Sequence, residues 1–547
     1  MSSATMYDPY AGRQMVSALN QKVMQDVNKV ARLGMTPRQQ HLNHLWAWYR
    51  CSVYEARRID WDGKEAVSRL DAEAIATAGF IPPGFYDAGA TFPLKFRRPS
   101  APYNLVKVIV DRFTGLLFTE HSHPSFRAAG DPQTEDFVKA LADVSRLWQT
   151  AILARTIGGA IGSVAVGFQF VDGRPVIEVH DPRWCNPKFK DHVTLQLESL
   201  EIRYMKPEEV FVGGQWEEVS YWHRRIITET EDIVFEPAPV GDGAEPAWKI
   251  QKHVVHAFGF CPVVWVQNLP TIEDIDGDSD CLGIYDLVEA VDALLAQSYR
   301  GVLANSDPTP VIVEDQDIGE IRKGSENAIK VTKGGNFFYA ELRGDGAKAA
   351  RELARELRDY ALEVAQCVLD SSNTNETQNN TTATEVEHRY SSMISKADKL
   401  REQYGQKCFL PLMQMMIDAV RKLSSPRVDE DGQTIVREYV SLPPRVVVDA
   451  NGVHQLVDRQ LGPSNHITLQ WPPYFRPTLS DAEASVRAAS SAVSAGLIDK
   501  EHALKFIASF FDVDDVSSLL QKLTEQEKSQ KEAIFKEAMG ALNGNRR

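Results

Sequence analysis

Two long amphipathic runs, LGIYDLVEAVDALLAQSYRGVLAN and GAKAARELARELRDYALEVAQCVLD, stand on either side of a short excursion with β character, and a third long run beginning TEVEHRYSSMISKADKLREQYG follows them. In the first run Ile284, Leu287, Val288, Val291, Leu294, Leu295 and Val302 recur at helical spacing, with Asp286, Glu289, Asp292 and Arg300 on the other face. At about 1.5 Å per residue such a helix spans on the order of 36 Å. The second run places Leu353, Leu357, Tyr360, Ala361 and Val364 on one expected packed face and carries Lys348–Glu352 and Arg355–Asp359 as opposite-charge neighbours. The excursion, with strand-like PVIV and NFFYAEL, is too small to fold alone, since a chain below about 40 residues seldom builds its own core. These elements predict a helical hairpin with a small β tip, followed by a long helix that Gly405 and Pro411 kink near its middle.

Between the second and third helices lies SSNTNETQNNTT, which has no apolar side chain, glycine, proline, lysine or arginine. Composition alone favours a solvated linker. Its position, where a short turn would suffice, favours an exposed functional loop. Its amides and hydroxyls can touch a polyanion without holding it by charge.

The whole chain, at 547 residues, is long enough for two or three modules. Its formal net charge of -15 argues against broad adhesion to nucleic acid, because a groove that grips phosphates is usually basic. The six cysteines, Cys51, Cys185, Cys261, Cys281, Cys367 and Cys408, show no metal-ligand spacing, and free thiols are expected. There is no run of about 20 apolar residues, and MSSATMYDPYAGRQ lacks the apolar core of a signal peptide, so a soluble intracellular product is expected.

In chain order, Met15, Leu19, Val23, Val27, Val30 and Leu33 predict an amphipathic arm over 12–34, and PRQQHLNHLWAWYRCSVYEARR predicts a second helix. A Gly- and Pro-rich loop region follows from Gly79 to Pro102. NLVKVIVDRFTGLLF reads as a buried helix and Thr134–Thr156 as another. A β-hairpin is expected to turn at Asp172 and Gly173, with strand-like runs continuing to WKIQKHVVHAF. After FCPVVWVQNLP, the acidic EDIDGDSDCLG reads as a linker that caps the next helix. VDEDGQTIVREYV, PPRVVVDANGVHQLV and HITLQWPPYF give further β structure, and a helical hairpin broken at Gly496 follows. The fold class is therefore α+β and multi-domain.

No stretch carries a catalytic signature. GGAIGS at Gly158–Ser163 lacks the Lys and Ser/Thr of a phosphate loop and reads as a tight helix-to-strand turn. His121 and His123 have no further metal ligands at useful spacing. EDIDGDSD matches a calcium loop in composition only, because Gly277 stands at the wrong offset and no closing Glu follows. These readings point away from an enzyme and imply no cofactor.

The order of NLVKVIVDRFTGLLF, FGFCPVVWVQNLP ahead of the first stem-like run, the polar loop with TEVEHRYSSMISKADKLREQYGQKCFLPLM, and AGLIDKEHAL resembles the portal proteins of tailed bacteriophages, from about Asn104 to about Leu520. The resemblance implies a homo-oligomeric ring, a dodecamer, at one capsid vertex of the virion, assembled in the host cytoplasm, through which double-stranded DNA is packaged and ejected. Its implied partners are terminase, a major capsid or scaffolding protein and a head-tail adaptor, with no membrane. It divides the chain into an arm and wing (1–281), a stem helix (282–305), a clip (306–345), a second stem helix (346–370), a tunnel loop (371–382), a long kinked helix with a β return to the wing (383–478) and a helical crown (479–547). It implies DNA-facing roles for Ser372, Asn373, Thr374, Asn375, Gln378, Asn379, Asn380 and Thr381. Terminase or adaptor contacts fall to Glu314, Asp315, Arg322, Lys323, Lys330 and Lys333. Two other readings are open: a capsid scaffold or adaptor without a channel, and a DNA-packaging enzyme.

Overall fold

The computed structural model describes residues 35–54, 98–99, 101–119, most of 122–306, 309–313, 336–340, 345–369, 383–424, parts of 427–474, 479–508 and a few between 520 and 526. The arm expected over 12–34 and most of the loop region 79–102 lie outside the described residues. The chain divides into two compact units, Met1–Thr119 with Ser125–Leu469, and Glu120–Pro124 with Gln470–Arg547. Helices and antiparallel sheets alternate along it, so the α+β class holds.

In the first unit, α1 (Pro37–Arg50) starts in a capping box: the Thr36 side chain accepts from the Gln39 N–H and the Gln39 side chain accepts from the Thr36 N–H. Asn104 caps α2 (Leu105–Leu117), whose Leu105, Val106, Ile109, Val110, Phe113 and Leu117 are all buried, as its continuous apolar side predicts. The strand β1 (Ser125–Arg127) leads into α3 (Pro132–Val144), capped by Asp131. The single helix expected over Thr134–Thr156 is broken: Arg146 adopts a left-handed backbone, φ 54°, and α4 (Leu147–Ile161) restarts after it. A bulky residue in that conformation ends one helix and re-aims the next.

Two antiparallel sheets follow. β2 (Ser163–Val171) and β3 (Arg174–His180) form the expected hairpin, with Asp172 and Gly173 both at positive φ in its turn. After a short 3-10 turn come β4 (Cys185–Asp191), β5 (Gln196–Val212), β6 (Gln215–Thr228), β7 (Glu231–Phe235), β8 (Ala238–Pro239) and β9 (Ile250–Val255), a six-stranded sheet in the order β4-β5-β6-β7-β9 with β8 against β6. β10 (Val263–Gln267) then returns to pair with β2, giving the order β10-β2-β3. Leu200, Ile202 and Ile227 of the larger sheet meet Val263 and Trp265 of β10 in one apolar core with Cys185, Phe189 and Cys261.

Next come α5 (Tyr285–Ser306), the antiparallel strands β11 (Thr309–Val313) and β12 (Asn336–Ala340), and α6 (Asp345–Val364), which packs back along α5. The third helix, α7 (Ala383–Arg401), runs without a break into a π-helical segment, Glu402–Phe409, and then α8 (Leu410–Ser424). The Leu410 N–H bonds the Gly405 carbonyl five residues back. The kink expected at Gly405 and Pro411 is therefore, at the level of hydrogen bonding, a change of helix type where proline removes a donor. In the second unit, Gly496 at φ 69° ends α9 (Leu479–Ser494), and the Asp499 carboxylate accepts from the His502 N–H at 2.8 Å to start α10 (Lys500–Ala508).

Candidate functional site

The α5–α6 hairpin is held by a buried polar node that joins two stretches the sequence presents separately, the Gly-rich end of α4 and the acidic 274–280 segment ahead of α5. Arg155, in the middle of the apolar α4, is fully buried, and its Nη2 donates to Asp280 Oδ2 at 2.6 Å. Asn268 Nδ2 donates to Asp280 Oδ1 at 3.1 Å, and the Asp280 N–H donates to the Gly159 carbonyl at 2.9 Å. Tyr404, in the π-helical segment, donates to Asn268 Oδ1 at 3.0 Å and lies under the Arg155 guanidinium, 5.4 Å from ring centroid to Cζ. Each oxygen of the buried Asp280 carboxylate accepts a hydrogen bond, which offsets the cost of burying its charge.

The glycines of GGAIGS have a steric purpose here. A Cβ on Gly159 would overlap both the Arg155 guanidinium and the Asp280 carboxylate, and one on Gly162, already at φ 96°, would overlap the Gly277 carbonyl. The helix end and the acidic segment thus touch backbone to backbone.

The acidic stretch, expected as a helix-capping linker, is packed into the fold. Asp276 and Asp280 are buried. Arg38 grips Asp276 with Nε and Nη2, at 2.5 and 2.9 Å, and Ser163 Oγ donates to the same carboxylate. Backbone carbonyls are taken as well: Trp265 Nε1 donates to Ile275 and Gln267 Nε2 to Asp274, at 3.0 and 2.9 Å. No group of acidic, histidine or cysteine side chains suited to a metal occurs among the described residues.

Past the node, α5 is fixed a second time. Asp292, expected on its wet face, is buried and accepts from Tyr54 Oη and the Tyr103 N–H, both at 2.6 Å. Those two donors come from segments that amphipathic spacing within α5 cannot reveal. Ser279 and Tyr285 hydroxyls meet at 2.8 Å, and the Tyr285 ring packs on Trp48.

The face of α6 expected to pack is mostly left outside. Ala354, Ala361 and Ala365 turn inward, whereas Leu353, Tyr360 and Val364 are 45%, 54% and 56% exposed. Small residues allow the close approach: Ser298 Oγ donates to the Ala347 carbonyl at 3.1 Å, and Gly301 leaves room beside the Ala347 side chain. Leu353, Tyr360 and Val364 therefore form a half-exposed apolar stripe along the helix. Tyr299, Val302 and Leu303 of α5 are likewise about half exposed.

Of the residues assigned to DNA, Ser372, Asn373, Thr374, Asn375, Gln378, Asn379, Asn380 and Thr381 lie outside the described residues, as do Glu314, Asp315, Arg322, Lys323, Lys330 and Lys333 of the clip. Sequence reasoning missed Arg155, Asn268, Lys396 and Tyr404. A signal existed for two of them: Arg155 interrupts an apolar helix, and Lys396 falls on the stripe of Met393, Ala397 and Leu400, where a cation needs buried partners. Burial also drives the acid-base properties here, pushing up the Tyr404 phenol and the Cys281 and Cys408 thiols and lowering the Lys396 ammonium. Groups so shielded hold the hairpin in position and are out of reach of a solute.

No family model and no curated protein matches this sequence. Among solved structures, a chain of the neck of a native gene transfer agent particle, computed with C12 symmetry, matches at 10% identity, and a chain of the virion of a native gene transfer agent particle at 11%. Each match covers 74% of this chain and 88% of the other with a TM-score of 0.32. A score this low does not establish a shared fold. Among the described residues no helix is long and apolar enough to cross a membrane.

Proposed function

We propose that this chain is the subunit of a portal ring, in which copies assemble head to tail around a channel for double-stranded DNA. The observation that carries the reading is the outward stripe Leu353, Tyr360 and Val364 on a hairpin whose base is rigidly fixed. A contiguous apolar stripe on an exposed helix marks an interaction surface. A head-to-tail interface that closes on itself buries such a stripe against a different face of the next copy and makes a ring. In this reading α5 and α6 are the stem, β11 and β12 the base of the clip, and the 371–382 segment the loop nearest the DNA. Ser372–Asn375 and Gln378–Thr381 contact the duplex weakly and without sequence preference. Glu314, Asp315, Arg322, Lys323, Lys330 and Lys333 meet terminase and later a head-tail adaptor, while the sheet-rich region before the stem faces capsid or scaffolding protein.

The net charge of -15 suits a passage through which DNA slides. A wall of that sign repels a duplex carrying one charge per about 1.7 Å, so friction stays low. Imaging of the purified full chain tests the reading directly. Closed rings with an axial hole support it; monomers, filaments or closed shells overturn it. Tight equilibrium binding to linear duplex at physiological salt, with a steep counterion-release slope, would remove the low-friction part while leaving the ring.

A further inference from the structure

Lys396 lies on the buried side of α7, one turn from Met393 and Leu400, at a position where the helical pattern calls for an apolar side chain. Its Nζ donates to the Asp280 carbonyl and to the Ala365 carbonyl, each at 2.9 Å, and sits 4.6 Å from the centre of the Phe113 ring. A lysine ammonium has three N–H donors and no acceptor. Two carbonyls and one aromatic face account for all three.

The two acceptors are unlike in origin. Asp280 stands just ahead of α5 and Ala365 just after α6, so they mark the two ends of the hairpin, 116 and 31 residues from Lys396 in sequence. Ala365 O is at a helix C-terminus, where carbonyls lack partners within the helix and a cation is favourable. One atom of α7 thereby joins both chain segments that enter and leave the hairpin. A second connection, from Tyr404 of the π-helical segment through Asn268 to the Asp280 carboxylate, reaches the α5 end. Burial lowers the Lys396 pKa, yet a neutral amine keeps two N–H groups, enough for both carbonyls.

We propose that Lys396 is a strap that passes a displacement of α7 to both ends of the α5–α6 hairpin together. The hairpin then follows the third helix as one body and does not splay at one end. This device is independent of what the hairpin docks against, and so stands or falls apart from the ring reading. The adjoining π-helical segment is where slack enters, because a π turn can be redistributed along a helix without breaking it.

Native-state hydrogen exchange on the full chain tests the strap. In Lys396→Met, amides at 281–286 and 361–367 exchange about tenfold faster together, while those of β5 and β6 do not change. A loosening of α7 by Met393→Ala speeds exchange at both hairpin ends when Lys396 is present. In the Lys396→Met background the same substitution speeds exchange in α7 alone. If Met393→Ala acts equally on the hairpin ends in both backgrounds, or Lys396→Met frees only one end, the strap is wrong. Should Lys396→Met fail to fold, Lys396→Gln, whose shorter side chain holds its amide back from the two carbonyls, takes its place under the same criteria.

Discussion

Within one hairpin, α5 and α6 solve the burial problem in opposite ways. α5 turns Val288, Val291 and Asp292 into the body of its own unit, beside the buried Ile284 that precedes it, and is fixed there by Asp280 just ahead of it and by Tyr54 and Tyr103 at Asp292. α6 buries Ala354, Ala361 and Leu362 and leaves Leu353, Tyr360 and Val364 about half exposed. The first helix is anchored by its own chain over its first half, with Tyr299, Val302 and Leu303 beyond it about half exposed, and the second exposes apolar area along its length. A buried charge tolerates no missing partner, whereas an exposed stripe costs the monomer little. Substitutions on the two sides therefore separate stability from assembly.

The largest effect falls on the node. Asp280→Ala strands the Arg155 guanidinium without a counter-charge, and Arg155→Met strands the carboxylate; each lowers unfolding free energy by about 3–5 kcal/mol. Urea titration followed by far-UV circular dichroism reads this directly. The double substitution Arg155→Met with Asp280→Ala is expected to cost less than the sum of the two single changes, since neither charge is then left alone. Additive losses would mean that the two side chains do not act as a pair.

Acid tests a second buried polar group on the same side of the comparison. His180 is buried between the sheets, and burial brings its pKa down to about 4, although Glu178 lies 3.8 Å away and pulls the other way; Arg225 and Asp232 also face it. A histidine with a lowered folded pKa is neutral in the folded chain and takes up a proton more readily when unfolded. Its contribution is complete above the unfolded value of about 6.5 and is lost as pH falls toward 4, by up to about 3 kcal/mol. Unfolding midpoints between pH 7 and 4 check the slope, which a His180→Gln variant should flatten. A smaller loss, about 1–3 kcal/mol, is expected of Gly159→Ala, because the added Cβ forces the Arg155–Asp280 pair to shift. Thermal melts of that variant beside Gly115→Ala, where a Cβ meets open space, isolate the steric part.

What was legible in the sequence follows the same division. Periodicity located α2, the hairpin and the turn at Asp172 and Gly173, because those depend on local spacing and turn chemistry. It placed Asp292 on the wrong face and read 274–280 as a linker that caps α5, since their partners, Tyr54, Tyr103, Arg38 and Arg155, are remote in sequence. It gave α6 one packed face and one wet face, which by itself leaves open what the packed face meets. Spacing shows that a helix has an apolar side, but the alanines beside that side decide which neighbour it meets. The roles given to the 371–382 loop and to the six named clip residues rest on order and resemblance, and none of those residues is among the ones described.

The smallest effect on stability belongs to the stripe, and it separates the two helices most sharply. Leu353→Ser with Tyr360→Ser removes half-exposed apolar groups from α6 and touches neither the alanines nor the node, so the unfolding free energy of the isolated chain should move by no more than about 0.5 kcal/mol. Assembly should be lost altogether, because the same groups are repeated at every contact in a ring and each contact loses its apolar centre. Sedimentation velocity distinguishes the species, and urea titration below the assembly concentration gives the stability. The reciprocal control is Ala354→Ser, which acts on the α5-facing side and should cost stability while leaving the outer stripe intact. If the double serine variant still assembles, the stripe is not the contact. If it unfolds the monomer as strongly as Asp280→Ala does, α6 is completed within its own chain after all, and the contrast between the two helices disappears.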